Sequence, residues 1–585
     1  MPYSDQNGGA MRDFLYLCKN LKKDFSGLEK VKLAVLGDTS TQFLVQALRG
    51  MGYEKGFDLQ IFEADYDQIE RQVFDNNSAL YEFKPVITVV FKSTHKLLEK
   101  YNKLDTVSYQ RFADDEMESV KNMSSALNGN LHTKVIFFNY SEIDDAVFGS
   151  FANKTAFSFL FQLRKINYEL MLFASENPDF YLCDLSTIQN IVGKATFFQP
   201  SVYINSGMVL SIDVLPEVSS KTLDIIGALK GRFKKCVILD LDNTLWGGII
   251  GDDGIENIQL GSLGIGKTFT EFQHWLKKLK NRGIILAVCS KNSEPTAKEP
   301  FEKHPDMVLR LDDIAVFVAN YINKADNIIQ IKNILNIGYD TMVFLDDNPF
   351  ERNLVRQSLP EVCVPELPED PADYLEYLYS LNLFETGTIS AEDAERTKHY
   401  QLEAHRQSIQ QLFINEDDYL QSLNMRSVAE PFNKFNAPRV AQLSQRSNQF
   451  NLRTLRYTRE DIDWLILSPD HFTFAFTLED KFGDYGLISV VVLQKEKTKT
   501  LFIENWFMSC RVLNRGMEQF VMNTILSFAK KNEYTQIKGE YAATAKNEMV
   551  RDHYENLGFI KSGNSWILKV AEYENKKCYI TKNER

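Results

Sequence analysis

Apolar residues fall in short runs separated by longer segments of helical period. The first run is Val31–Leu36 (VKLAVL), followed by a helical stretch to Gly52. Asp58–Glu63, Phe83–Lys92 with VITVVF at its centre, and Thr133–Asn139 come next. Short apolar runs divided by helices predict parallel strands joined by crossovers, hence a doubly wound α/β domain. A second series begins at Cys236–Leu239 and continues through Gly283–Ser290 (GIILAVCS) and MVLRL to Thr341–Asp347 (TMVFLDD). Within it Phe269, Phe272, Leu276 and Leu279 recur at helical spacing with Gly283 ending the helix, and Asp326–Asn336 is a second amphipathic helix stopped at Gly338. After Arg426 the pattern changes to alternation. Phe472, Phe474, Phe476 and Leu478 read as a half-buried strand, Lys481–Asp484 as a turn, and Tyr485–Gln494 with Thr500–Met508 as an antiparallel pair.

These patterns predict an α/β protein of three domains. The boundaries are 1–215 for the first α/β domain, 216–371 for the second, and 426–585 for a third with a mixed, largely antiparallel sheet. Pro365, Pro368 and Pro371 mark the exit from the second domain, and 372–425 reads as a helical connector whose charged stretch Ala391–Ser408 is a solvated face. A length of 585 residues agrees with several cores. The net charge of −13 argues against a nucleic-acid surface. No window approaches the ~18 uninterrupted apolar residues of a membrane span. The opening MPYSDQNGGA lacks a basic region followed by an apolar one, so no secretory signal is expected. The 7 cysteines, at 18, 183, 236, 289, 363, 510 and 578, form no CxxC pair and read as reduced core residues of a cytoplasmic protein.

Candidate chemistry sits at the ends of the second series of strands. Cys236–Leu239 delivers Asp240 and Asp242, then Thr244, to its carboxyl end, where open α/β sheets bind ligands. Paired carboxylates repel unless a cation lies between them, and all-oxygen ligands suit a hard ion such as Mg²⁺. The next strand ends in a hydroxyl, Ser290. Lys324 opens the helical segment NKADNI, and the last strand ends in Asp346 and Asp347. Neither the gap from Asp240 to Ser290 nor that from Ser290 to Lys324 has room for a cap domain, so an open site is expected.

Acid pair, hydroxyl, lysine and acid pair, in that order, resemble the haloacid dehalogenase (HAD) superfamily. DLDNTLWGG, AVCSKN, HPDMVLRLDDI, NIGYDTMVFLDDNPFER and VPELPEDP resemble more closely the FkbH-like group, the subclass IIIC HAD phosphatases. The resemblance implies a Mg²⁺-dependent phosphatase acting through an aspartyl-phosphate. Asp240 is then the nucleophile and a metal ligand, and Asp242 the acid and base. Thr244, Ser290 and Lys324 hold the phosphoryl group, and Asp346, Asp347 and the Asp242 main-chain carbonyl hold the metal, with Trp246-Gly247-Gly248 flanking the entrance. Two alternatives stand beside this reading, the first also implied by the resemblance and the second of a different class. One is transfer of a glyceryl unit from a phosphorylated three-carbon donor to a carrier-protein thiol. The other is an assembly protein that binds a carrier or glycan precursor.

The first domain resembles the SGNH-hydrolase-like domain found upstream of FkbH-like modules, with Gly37-Asp38-Thr39 in the place of the nucleophile block. Ser93-Thr94-His95 lacks the Gly-x-Asn-Asp block, and Asp184-Leu185-Ser186-Thr187 lacks the Asp-x-x-His that would supply a base. Binding or scaffolding is therefore expected rather than hydrolysis. The third domain resembles the GNAT acyltransferases. Arg511 to Gly516 stands where that fold binds the coenzyme A pyrophosphate, and Asn547 and Tyr554 fall in its last helical segment. The loop has one glycine where the fold has two, so a structural role or docking of an acyl-carrier protein is expected.

Overall fold

The computed structural model describes residues 13–389, 397, 400–402, 415–497, 499–509, 512–513, 515–544 and 546–583. The chain divides into two compact units, one running through Ala228 and the other from Leu229.

In the first unit, β1 (Glu29–Gly37), β2 (Phe57–Glu63), β3 (Ile87–Phe91), β4 (Lys134–Phe138) and β5 (Phe180–Cys183) form a parallel sheet of order β2-β1-β3-β4-β5. This is a doubly wound order with its switch point between β1 and β3. The strand β5 is absent from the sequence reading. Its four residues, FYLC, are buried only at Phe180 and Cys183.

The second unit holds two sheets. The first is parallel, with order β8-β7-β6-β9, from β6 (Cys236–Leu239), β7 (Ile285–Ser290), β8 (Ile314–Ala319) and β9 (Met342–Leu345). Alternate residues of β6 feed opposite cores. Val237 and Leu239 pack with Phe272 and Leu276 of helix α1 (Gly264–Asn281), and Cys236 and Ile238 pack with Ile328 and Ile331 of helix α2 (Lys324–Leu335). Burial on both faces is why these strands read as unbroken apolar runs.

MVLRL is not a strand. Val308 and Leu309 donate their N–H groups to Gln273 Oε1 on α1, at 2.9 and 3.2 Å, and Leu311–Asp313 is a 3₁₀ turn. The run is apolar because it docks on a helix, and the sheet is completed by IAVFVA just beyond it. The expected connector is also divided differently. Tyr374, Leu378, Leu383 and Phe384 join the core of this sheet and Tyr400 joins its other face, whereas Tyr419, Leu423 and Met425 belong to the next sheet's core. The stretch Ala391–Ser408 lies largely outside the described residues.

That last sheet comprises β10 (Arg426–Ser427), β11 (Ala429–Glu430), β12 (His471–Asp480), β13 (Gly483–Glu496), β14 (Thr500–Met508), β15 (Gln536–Glu540), β16 (Ile560–Ser562), β17 (Ser565–Lys569) and β18 (Thr581–Lys582). Its order is β16-β17-β15-β14-β13-β12-β10-β18, with β11 also on β12. The sheet is mixed: β14 and β15 run parallel, joined by helix α5 (Met517–Lys531), while β12, β13 and β14 are antiparallel. Helix α4 (Ala437–Arg446) covers the face opposite α5. This is the GNAT-like arrangement. β14 and β15 pair only from Thr500 to Ile503 and then part. Phe450–Leu452 fills the gap: Leu452 N donates to Trp506 O (3.0 Å), Met508 N to Phe450 O (3.0 Å) and Ala542 N to Leu452 O (2.9 Å). No helix among the described residues is long and apolar enough to cross a membrane.

Candidate active site

The site is built at the carboxyl ends of β6, β7 and β9. Asp240 follows β6 directly, its N–H donating to Leu345 O of β9 at 3.0 Å, so the end of the strand is held while its side chain enters the site. The chain then turns sharply, with Asn243 at φ 54° and the Leu245 N–H donating to Leu241 O at 2.7 Å. Lys324 is the first residue of α2, a helix capped by the Asn323 side chain. Its side chain is buried, and the ammonium reaches Asp240 Oδ1 at 2.9 Å and Asp346 Oδ2 at 2.5 Å. Thr244 Oγ1 accepts from Asp347 N at 3.2 Å, tying the β6 turn to the acid pair. Ser290 ends β7, buried, and Asn292 Nδ2 donates to its Oγ at 3.2 Å.

One carboxylate oxygen from each of Asp240, Asp346 and Asp347 lies within 4.8 Å of the others. Burial pushes all three acids up from the ordinary carboxylate range. The Lys324 charge offsets this only in part at Asp240 and Asp346, and the Asp240 charge adds to it at Asp347. Burial also acts against the Lys324 charge, but Asp240 and Asp346 outweigh it and hold the lysine above its usual value. Both directions have one origin: a single ammonium faces three carboxylates. A hard divalent cation fits this oxygen donor set and its unbalanced charge.

The structure therefore brings together Asp240, Thr244, Ser290, Lys324, Asp346 and Asp347. The Asp242 side chain is tied elsewhere: Oδ1 accepts from Trp246 Nε1 and Ile250 N, each at 3.0 Å, and Oδ2 from Asn292 Nδ2 at 2.8 Å. Its carboxylate is not one of the three that converge. Trp246 does not flank an entrance. It is fully buried, edge-on to Phe301, because its N–H is spent on Asp242. Beside it, a Cβ on Gly247 would lie 2.5 Å from Gln259 Oε1 and 2.9 Å from the Phe269 ring, which accounts for the glycine.

Sequence reasoning assigned no role to Asn292, which orients Asp242, or to Arg352 and Glu366 behind the acid pair. Arg352 Nη1 donates to the main-chain oxygens of Asp346 (2.9 Å) and Asp347 (2.6 Å). The signal for Asn292 and Arg352 lies within SKN and NPFER, as polar residues shortly after Ser290 and the Asp346-Asp347 pair.

In the third domain, Arg511 lies outside the described residues. Gly516 caps α5 at φ 76°. Asn547 is buried and spent internally, its amide donating to Asn451 O and Ala542 O (2.9 Å each) and its oxygen accepting from Thr544 N (2.8 Å). Tyr554 is likewise buried, stacked with Trp566 and pressed against Gly539. Both side chains are buried, and Tyr554 belongs to the core of this sheet.

The family described as FkbH, N-terminal domain, matches residues 32–227. Among solved structures, the chain is similar to the N-terminal part of the protein BF1531 from Bacteroides fragilis, which contains a phosphatase domain and is complexed with Mg. Identity is 55%, the TM-score is 0.62, and the match covers 64% of this chain and 99% of that one. The Escherichia coli ribosomal-protein-S18-alanine N-acetyltransferase matches at 12% identity and a TM-score of 0.20, over 24% of this chain and 90% of its own. The Vibrio cholerae spermidine N-acetyltransferase, in complex with CoA and spermine, matches at 14% identity and a TM-score of 0.21, over 25% of this chain and 97% of its own. No curated protein matches the chain.

Proposed function

The chain belongs to the FkbH-like family, and from that premise we propose that it is a Mg²⁺-dependent phosphatase acting through an aspartyl-phosphate. The observation that carries the reading is the convergence of Asp240, Asp346 and Asp347 on one point, with Lys324 bridging two of them. Asp240, Asp346 and Asp347 would hold Mg²⁺. When bound, the ion supplies the positive charge that lets a phosphoryl group approach three carboxylates.

In the first step an Asp240 carboxylate oxygen attacks phosphorus. The bond from phosphorus to the leaving oxygen breaks, and Asp242 gives that oxygen a proton. In the second, Asp242 takes a proton from water, whose oxygen attacks phosphorus, releasing phosphate and restoring Asp240. The three donors on Asp242 fix its orientation for both transfers. Thr244, Ser290 and Lys324 hold the phosphoryl oxygens, where charge spreads in the transition state.

A second reading, glyceryl transfer to a carrier-protein thiol with loss of phosphate, is favoured by the short Asp240–Leu263 segment. It carries only the four-residue helix Ile250–Asp253, so this segment supplies no cap domain against a protein-borne substrate. In this reading an acyl-carrier protein is the partner.

The test is phosphate release from an aryl phosphate and a panel of natural esters, with and without a carrier protein. Asp240→Asn is expected to lower release by several orders of magnitude with the fold unchanged. Chelation should abolish wild-type release and Mg²⁺ restore it. More than about a tenth of the activity left in the Asn variant would rule out the covalent route. Release that depends on the carrier would favour transfer.

A further inference from the structure

The first turn of helix α3 (Pro349–Ser358) follows the acid pair and reaches back to both sides of the site. Arg352 is 4% exposed. Besides the two carbonyls of Asp346 and Asp347, its guanidinium holds Glu366, with Nε at 3.1 Å from Oε1 and Nη2 on the same oxygen; Arg356 holds the other oxygen. Glu366 belongs to the segment whose Cys363 pairs with β9 on both sides, Phe344 N donating to Cys363 O and Cys363 N to Met342 O. The neighbouring Glu351, 5% exposed, receives the Lys291 ammonium at 2.5 Å, and Lys291 directly follows Ser290.

We propose that Glu351 and Arg352 are positioning residues: Arg352 fixes the acids that hold the metal, and Glu351, through Lys291, fixes the Ser290 loop that holds the phosphoryl group. The inference rests on the phosphatase reading. Its physical basis is the kind of acceptor each cation uses. Lys324 pairs with carboxylates and so reduces the charge available to a metal. Arg352 donates to main-chain carbonyls, so it takes up no carboxylate oxygen of Asp346 or Asp347 while fixing the peptides that aim them. Only a planar fork can span two successive carbonyls and a carboxylate together, which a lysine cannot do. Partners that orient metal ligands in this way commonly change metal affinity about 10–100-fold when removed.

The experiment uses the full chain and two equilibrium measurements. One is Mg²⁺ titrated calorimetrically without substrate. The other is inorganic phosphate as an inhibitor of phosphate release. Arg352→Ala is expected to weaken Mg²⁺ binding about tenfold or more, and Arg352→Lys several-fold. Glu351→Gln should leave Mg²⁺ affinity within about twofold and weaken phosphate inhibition several-fold, the reverse of the Arg352 pattern. Melting temperature and circular dichroism establish that each variant is folded. If Arg352→Ala does not fold, Arg352→Lys and Glu366→Gln decide. Wild-type Mg²⁺ affinity in either folded Arg352 variant would overturn the assignment, as would equal loss of both affinities in Glu351→Gln. A wild-type chain that binds Mg²⁺ but releases no phosphate from any ester would defeat the phosphatase reading instead, and the calorimetric arm would still judge Arg352.

Discussion

Asp38 directly follows β1 beside the switch point of the first sheet, and both of its oxygens accept from one donor, Ser93 N, at 2.9 Å. Burial pushes its carboxyl up to about 7, although the Ser93 N–H and the Lys92 charge pull the other way. The unfolded chain gives up this proton near 4, so between about pH 4 and pH 7 the folded state binds more protons and stability falls as pH rises. Asp38→Asn, which mimics the protonated acid, should therefore stabilise the first unit more at pH 8 than at pH 5, by about 2.5 kcal/mol. Thermal unfolding at the two pH values checks this, and an equal effect at both would show that Asp38 is ionised in the fold. The same residue shows what a sequence conceals. Asp38 stood out as part of a degenerate nucleophile block, but its burial depends on elements far away in the chain. The site residues of the second unit were legible because each follows or ends an apolar run: Asp240 after CVIL, Ser290 after ILAVC, Asp346 after MVFL. Asn292, Glu351 and Arg352 carry no such mark. Their partners, Asp242, Lys291 and the Asp346 and Asp347 carbonyls, are neighbours only in space.

At the scale of elements, apolar period located strands well when they were buried on both faces. It failed where a run was buried by something other than pairing, as in MVLRL, and where a strand was short, as in β5. The most consequential unforeseen element is Phe450–Leu452. It has no strand pattern, yet it occupies the outer edge of β14 where β15 departs. An arm running from a pyrophosphate at the loop before α5 along the end of β14 would meet backbone that is already paired. Trp506 O, Met508 N and Ala542 N are already paired with this segment, and Asn547 secures it through Asn451 O at 2.9 Å. Displacing three such bonds costs about 0.5–1.5 kcal/mol each, with no compensating second glycine in the loop. Calorimetry with coenzyme A and acetyl-coenzyme A should show no saturable binding. Micromolar binding that Gly516→Val abolishes would mean that the segment yields to the ligand and that the domain acylates.

For the whole chain, the alternation of strands and helices was enough to read an α/β protein with three sheets, but not how the cores divide it. The second and third sheets fall in one compact unit. Lys546 pairs with Asp340, Asn448 Nδ2 donates to Gly231 O at 2.9 Å, and Lys235 Nζ to Arg446 O at 3.3 Å. These three contacts are polar, and both partners of the Lys546–Asp340 pair are 37% exposed, so that pair contributes at most about 1 kcal/mol. The apolar clusters tell a different story from the unit boundary. Those around β6 to β9 close with Tyr374, Leu378, Leu383, Phe384 and Tyr400, and Gln401 Nε2 donates to Ile314 O at 2.9 Å. Every residue assigned to the reaction lies between Asp240 and Arg352, with Glu366 behind them. A chain ending after Leu402 therefore keeps the apolar residues that these two clusters contain and loses the contacts to the last sheet named above. It should fold, bind Mg²⁺ as the full chain does, and release phosphate from a small ester at a rate within about threefold, since the lost contacts touch no catalytic group. Ending the chain at 371 instead would remove Tyr374 to Phe384 from the core and should give an unfolded or aggregating product. If the longer fragment folded but lost more than about tenfold in rate, the third domain would take part in the chemistry, and the division of labour argued from the clusters would be wrong.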